Sequence, residues 1–432
     1  MRSPALPCSS THSPALPRMR AHRPRSLHAL LMVAVSVLLL SQATPALAVG
    51  PRFLYVTSRG DGAFEGFAIN ASTGALTRIG SLSWGSPNSI TVEPSGRFVY
   101  ATTNYQAPTG NVAMLSIGPT GILTPGPFAR AGEGPRAVTA HPSGRYLYVV
   151  NSLPKAGNSV SVYEIDLTSG VLTPLETVPA GDDPWGIAVP PSGRFAVVAN
   201  YGYGNDVSVY TIGANGRLKS LGKVGTGGLN PASVAVHPSG HFVYVANRGS
   251  ADVSMFTIDT NWMLKFLGKV SAGLNPRSVT VDDSGRFAYV ANEGSDTLSM
   301  YAIGANGLLT PKGIVNTGRY PYQVVSSGPF VYVVNYGAPS SSPTGSVSPF
   351  MINTAGGLTE IGPPVRTTVH HPNAIAIAGS SSQSAAALGT LAEILESKTS
   401  SELTTAASEA SALVQGLLDF LRHCGEEVPI ED

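Results

Sequence analysis

The residues of this chain that could do chemistry are few, and most of them are arginines and aromatics. Arg59, Arg136, Arg248 and Arg277 alternate along the sequence with Tyr105, Trp185, Tyr201, Tyr322 and Tyr336. One carboxylate, Glu293, and the pair His370–His371 complete the set. A guanidinium offers a planar fork of N–H donors to a carboxylate or phosphate. Arranged around a cavity with aromatic rings, such groups suit an anionic or sugar-like ligand. No His, Cys or carboxylate cluster has the spacing of metal ligands and acids are scarce among these positions, so neither a catalytic metal nor a cofactor is expected. Nucleophile-elbow, phosphate-loop and dinucleotide fingerprints are also missing.

These candidates are spread over some three hundred positions, so the elements between them must bring them together. The clearest element is Asn230 to Asn247, NPASVAVHPSGHFVYVAN, which reads as two short apolar strands split by a Pro-Ser-Gly turn. It recurs at Pro135–Asn151, Pro184–Asn200 and Pro276–Asn292, more loosely at Pro87–Thr103, and with a shortened turn at Pro321–Asn335. The turn glycines Gly96, Gly144, Gly193, Gly240, Gly285 and Gly328 recur every 43 to 49 residues, the size of a four-stranded propeller blade. SVSVYEI from Ser159, DVSVYTI from Asp206 and TLSMYAI from Thr297 supply third strands, and fourth strands follow a Gly-containing turn. No sustained helical period interrupts Val49 to Gly379, which argues against a parallel βαβ fold.

The two ends of the repeat region decide the architecture. PRFLYVTS (Pro51–Ser58) is a second strand lacking its first, and HPNAIAIAG (His371–Gly379) is a first strand lacking its second. Joined, they complete a blade. The expected fold is therefore all-β: a seven-bladed propeller of four-stranded antiparallel blades, closed by the N- and C-terminal strands within one blade, with no sheet edge left open between the ends. Loops leading into first strands and loops leaving second strands then share one rim. The rim receives Asn88, Arg136, Trp185, Arg277, Tyr322 and His370–His371 from the inbound loops. It receives Arg59, Tyr105, Tyr201, Arg248, Glu293 and Tyr336 from the outbound ones. The Pro-Ser-Gly turns fall on the opposite face, so His141 and His237 read as structural, and the Asn ending each second strand reads as turn chemistry.

The flanks differ from the repeats. Met1–Ala48 has a basic start (Arg20, Arg23, Arg25), an apolar Leu30–Leu40 and a small-x-small site at Ala46–Ala48, the pattern of a signal peptide. That apolar run is too short to span a bilayer, so a secreted or periplasmic protein with no membrane span after leader removal is expected. With Cys8 in the leader, only Cys424 remains, and no intramolecular disulfide can form. Ser380–Asp432 reads as a Ser-rich linker with two short amphipathic helices, one around Leu388–Leu395 and one around Leu413–Leu421. The formal charge of the whole chain is only +1, and the repeat region carries no strong basic patch of the kind nucleic-acid binding needs.

FVYVAN, RYLYVVN and RFAYVAN, with PSGR before and SVSVY after, resemble the seven-bladed propellers of the lactonase (6-phosphogluconolactonase-like) family and the related YVTN-repeat proteins. The resemblance spans Val49–Gly379. It implies a rim site with an Arg, a Glu and a His, and Arg277 and Glu293 match the first two. The His position is Ser278 here, with Ser89, Ala137, Gly186, Ser233, Gln323 and Ala374 as its equivalents in the other blades.

Two readings follow. In the preferred one the propeller is a binding scaffold whose rim takes a small ligand, a cell-wall sugar or a protein partner. In the alternative it is a metal-independent lactone hydrolase or lactonising enzyme. Arg277 and Arg248 would then hold a carboxylate or oxyanion, and Glu293 or His371 would direct water as general base. The empty His positions weigh against hydrolysis, and an exported protein is separated from a cytosolic substrate such as 6-phosphogluconolactone.

Overall fold

The computed structural model describes residues 52–103, 110–152, 157–337 and 344–379. The expected leader, the two tail helices and Tyr105 lie outside the described residues. Within them the repeats form seven antiparallel sheets arranged as blades. We number the blades by their innermost strands: Pro87–Val92 (blade 1), Pro135–Ala140 (2), Pro184–Ala188 (3), Pro231–Val236 (4), Pro276–Val281 (5), Pro321–Ser327 (6) and Pro372–Ala378 (7). Each innermost strand touches the next, and that of blade 6 touches that of blade 7, so the ring is closed. Closure is made as the half-repeats foretold. Arg52–Ser58 pairs antiparallel with Pro372–Ala378, placing Phe53 opposite Ala378 and Val56 opposite Ile375. Blade 6 alone departs from four strands: its outer strand is broken into Leu358–Glu360 and Val365–His370, both paired with Thr344–Ile352.

Burial explains why the second strands are apolar at every position. These strands sit mid-blade with a neighbouring blade on each face, so both sides of FVYVAN-type segments are covered. Seven apolar clusters result, one at each interface between blades. The recurrent tyrosine has its own task. Tyr55, Tyr100, Tyr148, Tyr244, Tyr289 and Tyr332 each donate across the interface to the carbonyl of a turn glycine in the next blade, at 2.7 to 3.2 Å. The turn must come close to receive that bond: a Cβ on Gly307 would lie 2.2 Å from the Phe242 ring, and the backbone there has φ +78°. Blade 3 has Val197 in place of the tyrosine, and only there is the partner turn residue not glycine. Trp262, at φ +63°, fills that space against Phe195.

The asparagines that end second strands are buried and carry no ligand role, but turn chemistry is not what they do. Asn247 Nδ2 donates to Asp252 Oδ1 and Ser254 Oγ, both at 2.7 Å, and Asn200 does the same to Asp206 and Ser208. Each ties its strand to the Asp/Ser-x-Ser start of the third strand, an i,j relation that a reading of local turns could not supply. On the opposite face His141 and His237 are structural, as expected. Their Nε2 atoms bond the carbonyls of Gly193 and Gly285 in the next blade's turn, at 2.9 and 2.7 Å.

Candidate functional site: the arginine-rich mouth of the ring

The innermost strands run side by side around the axis, so the residue after each leading proline points at the ring's mouth. Those seven positions are Asn88, Arg136, Trp185, Ala232, Arg277, Tyr322 and Asn373. All seven line a cavity of about 350 Å³, together with Arg59 from the outbound loop of blade 7. That volume falls within the range of small-molecule pockets, about 300–1,000 Å³. The charged side chains facing it are three arginines and no carboxylate.

The remaining candidates stand behind this lining and hold it. Trp185 is clamped between Tyr201, stacked parallel at 3.7 Å between ring centroids, and the Arg136 guanidinium, 3.5 Å from the indole centroid. The Tyr201 hydroxyl accepts from Arg248 Nη1 at 3.3 Å, and Arg248 Nε donates to Glu293 Oε2 at 3.0 Å. The same carboxylate oxygen accepts from Arg277 Nη1 at 3.3 Å. Arg277 lies over Tyr322 at 3.4 Å, Tyr322 stacks on Tyr336 at 5.3 Å, and Tyr336 stacks on His371 at 4.6 Å. A continuous arc thus passes through five adjacent blades and into the seventh, and of the described candidates only Arg59 lies outside it. Burial opposes the charge of Arg248, but Glu293 and Tyr201 outweigh it and raise its pKa above the ordinary arginine value.

Proximity does not give all members the same exposure to the cavity. Arg59, Arg136, Trp185, Arg277 and Tyr322 line it, whereas Tyr201, Arg248, Glu293, Tyr336 and His371 do not. Glu293 is turned into the two guanidinium groups. His371 takes a left-handed backbone (φ +49°) ahead of Pro372, and its Nδ1 is buried with no hydrogen-bond partner among the described residues. Its neighbour His370 is tied instead to Asp61, Nδ1 to carboxylate at 3.0 Å. Burial works against the Asp61 charge, but the His370 amide and ring, with the charge of His371, outweigh it and hold the carboxyl below its ordinary value.

The positions that the family resemblance assigns to histidine do structural duty in this chain. Ser233 Oγ accepts from Val279 N and Ser278 Oγ from Val324 N, each at 3.2 Å, and Gln323 Oε1 accepts from Ile375 N at 3.0 Å. Each satisfies a backbone amide of the next blade's innermost strand. Gly186 is small for a related reason: a Cβ there would lie 3.2 Å from the Ala232 carbonyl. Asn373 went unnoticed in the sequence. Its Oδ1 accepts from the Arg59 amide at 3.0 Å and its Nδ2 donates to the Asn88 carbonyl at 2.6 Å, fixing the loop that presents Arg59. The available signal was its register, one residue after the leading proline like Arg136 and Arg277.

Fold and site together define a closed seven-bladed β-propeller with a cationic, aromatic-walled mouth. The chain belongs to the lactonase family of seven-bladed β-propellers, whose profile matches residues 103–228 and 221–325. No curated protein matches it. Among solved structures it is similar to a protein from Lactobacillus plantarum, at 20% identity and a TM-score of 0.65, covering 76% of this chain and 99% of that one. It is also similar to the periplasmic gluconolactonase of Pseudomonas aeruginosa, at 19% identity and a TM-score of 0.63, with 76% and 99% covered. A provisionally named 6-phosphogluconolactonase from Bacteroides uniformis gives 18% identity and a TM-score of 0.66 over 76% and 99%. At these identities the likeness is one of fold.

Proposed function

We propose that this protein is an exported anion-binding propeller that takes a small carboxylate, such as an opened sugar lactone, into its arginine-lined mouth without hydrolysing it. One observation carries the reading: three arginines face the cavity, while the two candidate bases, Glu293 and His371, face away from it. The serine and glutamine at the histidine positions support it, since their acceptor oxygens are already committed to backbone amides. The leader-like Met1–Ala48 extends the proposal to a secreted or periplasmic protein. A protein or cell-surface partner carrying the same anionic group would meet the same rim.

The second reading is hydrolysis, favoured by the Arg277–Glu293 pair that matches the family pattern. There Arg277 and Arg248 would hold the developing oxyanion, with Glu293 or His371 directing water. One experiment separates the two. Titration of the protein with gluconate, followed by calorimetry and Trp185 fluorescence, should show saturable binding that weakens with salt. A pH-stat assay on gluconolactone and muconolactone should show no turnover above background. Turnover abolished by Glu293→Gln or His371→Ala would establish the hydrolase instead.

A further inference from the structure

The mouth is not the only concavity served by the loop that carries Glu293. Glu293 is followed by Gly294, whose amide donates to the Leu274 carbonyl at 2.9 Å. Next comes Ser295, which together with Leu274 lines a second cavity of about 410 Å³. This groove descends the flank of blade 5 between Leu274 at its upper end and Met300, Pro311 and Ile314. Leu274 and Ile314 are 62% and 66% exposed, high values for large apolar side chains.

Every blade has the geometry for such a groove, but the side chains make this one different. In blade 2 the equivalent cavity is lined by Arg130, Glu176 and Thr177, with Glu176 and Thr177 where blade 5 has Gly313 and Ile314. In blade 4 the outer-strand position matching Pro311 is Phe266, whose ring packs over Gly227 at the blade's approach and fills the space. Blade 5 therefore offers an open, apolar groove, and it adjoins the arginine that is bound to Glu293.

From this juxtaposition we infer that the natural ligand is an amphiphilic carboxylate, with its anionic head in the arginine-lined mouth and an unbranched apolar arm lying over Leu274 into the blade 5 groove. The inference rests on the anion-binding reading of the mouth and adds the chemistry of the rest of the molecule. A purely polar sugar acid would leave Leu274 and Ile314 uncovered. An apolar molecule without charge would have no use for the guanidinium groups.

The test is a calorimetric series of straight-chain carboxylates from acetate to octanoate, with gluconate alongside, on the wild-type chain and on Leu274→Ser/Ile314→Ser. Both substituted positions are exposed, so the melting temperature serves as a check that the fold is kept. A methylene fully buried in the groove tightens binding about fourfold, and partial burial still predicts octanoate at least about tenfold tighter than butyrate. The double variant should flatten the series and leave butyrate unchanged. If gluconate and butyrate bind but chain length has no effect, or if the double variant keeps the octanoate preference, the groove assignment is wrong and the mouth stands. If no carboxylate binds at all, the mouth reading fails and the inference with it.

Discussion

Replacing Glu293 with glutamine separates the two roles this carboxylate could have. In the structure its Oε2 lies 3.0 Å from Arg248 Nε and 3.3 Å from Arg277 Nη1, and the three side chains are 17%, 28% and 12% exposed. Glutamine keeps the shape and one acceptor oxygen but removes the charge. If Glu293 serves to hold the arginines, the mouth becomes more positive. A unit charge removed about 7 Å from a bound anion, at an effective dielectric of about 40, is worth about 1.2 kcal/mol, so gluconate should bind roughly sevenfold tighter. The same change weakens charge-assisted hydrogen bonds to two half-buried guanidinium groups, at a cost of about 1–3 kcal/mol of stability. Calorimetry at low ionic strength and a thermal melt read both effects on one sample. Gluconate affinity that falls or stays level would refute the counter-ion role. So would lactone turnover present in the wild type and lost in the variant while binding persists.

Three further outcomes follow from the fold. Tyr289→Phe deletes the 3.2 Å bond to the Gly356 carbonyl and leaves that buried acceptor unpaired, a loss of about 1–3 kcal/mol. The melting temperature should drop by several degrees, and Tyr203→Phe, at a 99% exposed position, should not move it. Alkaline pH should unfold the ring cooperatively, because burial pushes the phenols of Tyr163 and Tyr210 from 10.0 up to about 12. Between those values the unfolded chain has released protons that the native state still holds, so stability is full below the unfolded value and declines as pH rises through the window. Near-ultraviolet absorbance should report tyrosine ionisation in step with loss of circular dichroism, and smooth ionisation of an intact fold would contradict it. Removing Arg52–Ser58 leaves Pro372–Ala378 and Ala63–Ile69 without their shared partner. The shortened chain should fail to give a soluble monomer, and one with a native melting profile would count against closure by these strands.

Much of this was legible in the sequence because a propeller repeats its physics. Period, strand alternation and the complementary half-repeats at Pro51–Ser58 and His371–Gly379 are one-dimensional facts, and ring closure followed from them alone. The rim also followed, since loop membership depends only on strand order. What could not be read was direction within the rim. Arg277 and Glu293 were visible as a pair, but that Glu293 turns toward Arg248 in the preceding blade depends on side-chain packing between blades. The same limit applied to Asn247 and its relatives. Their bonds to Asp252 and Ser254 run across a strand pair, and a reading based on turn preference assigned them to the wrong local cause. Ser233, Ser278 and Gln323 show it again: only the neighbouring blade reveals that their oxygens are occupied.

The central claim is that the mouth's arginines bind an anion, and crystals of the protein soaked in gluconate test it most directly. The account predicts electron density for the carboxylate within hydrogen-bonding distance of the Arg136 or Arg277 guanidinium, inside the cavity walled by Trp185 and Tyr322. A clear mouth, with gluconate absent or bound elsewhere on the ring, would contradict it.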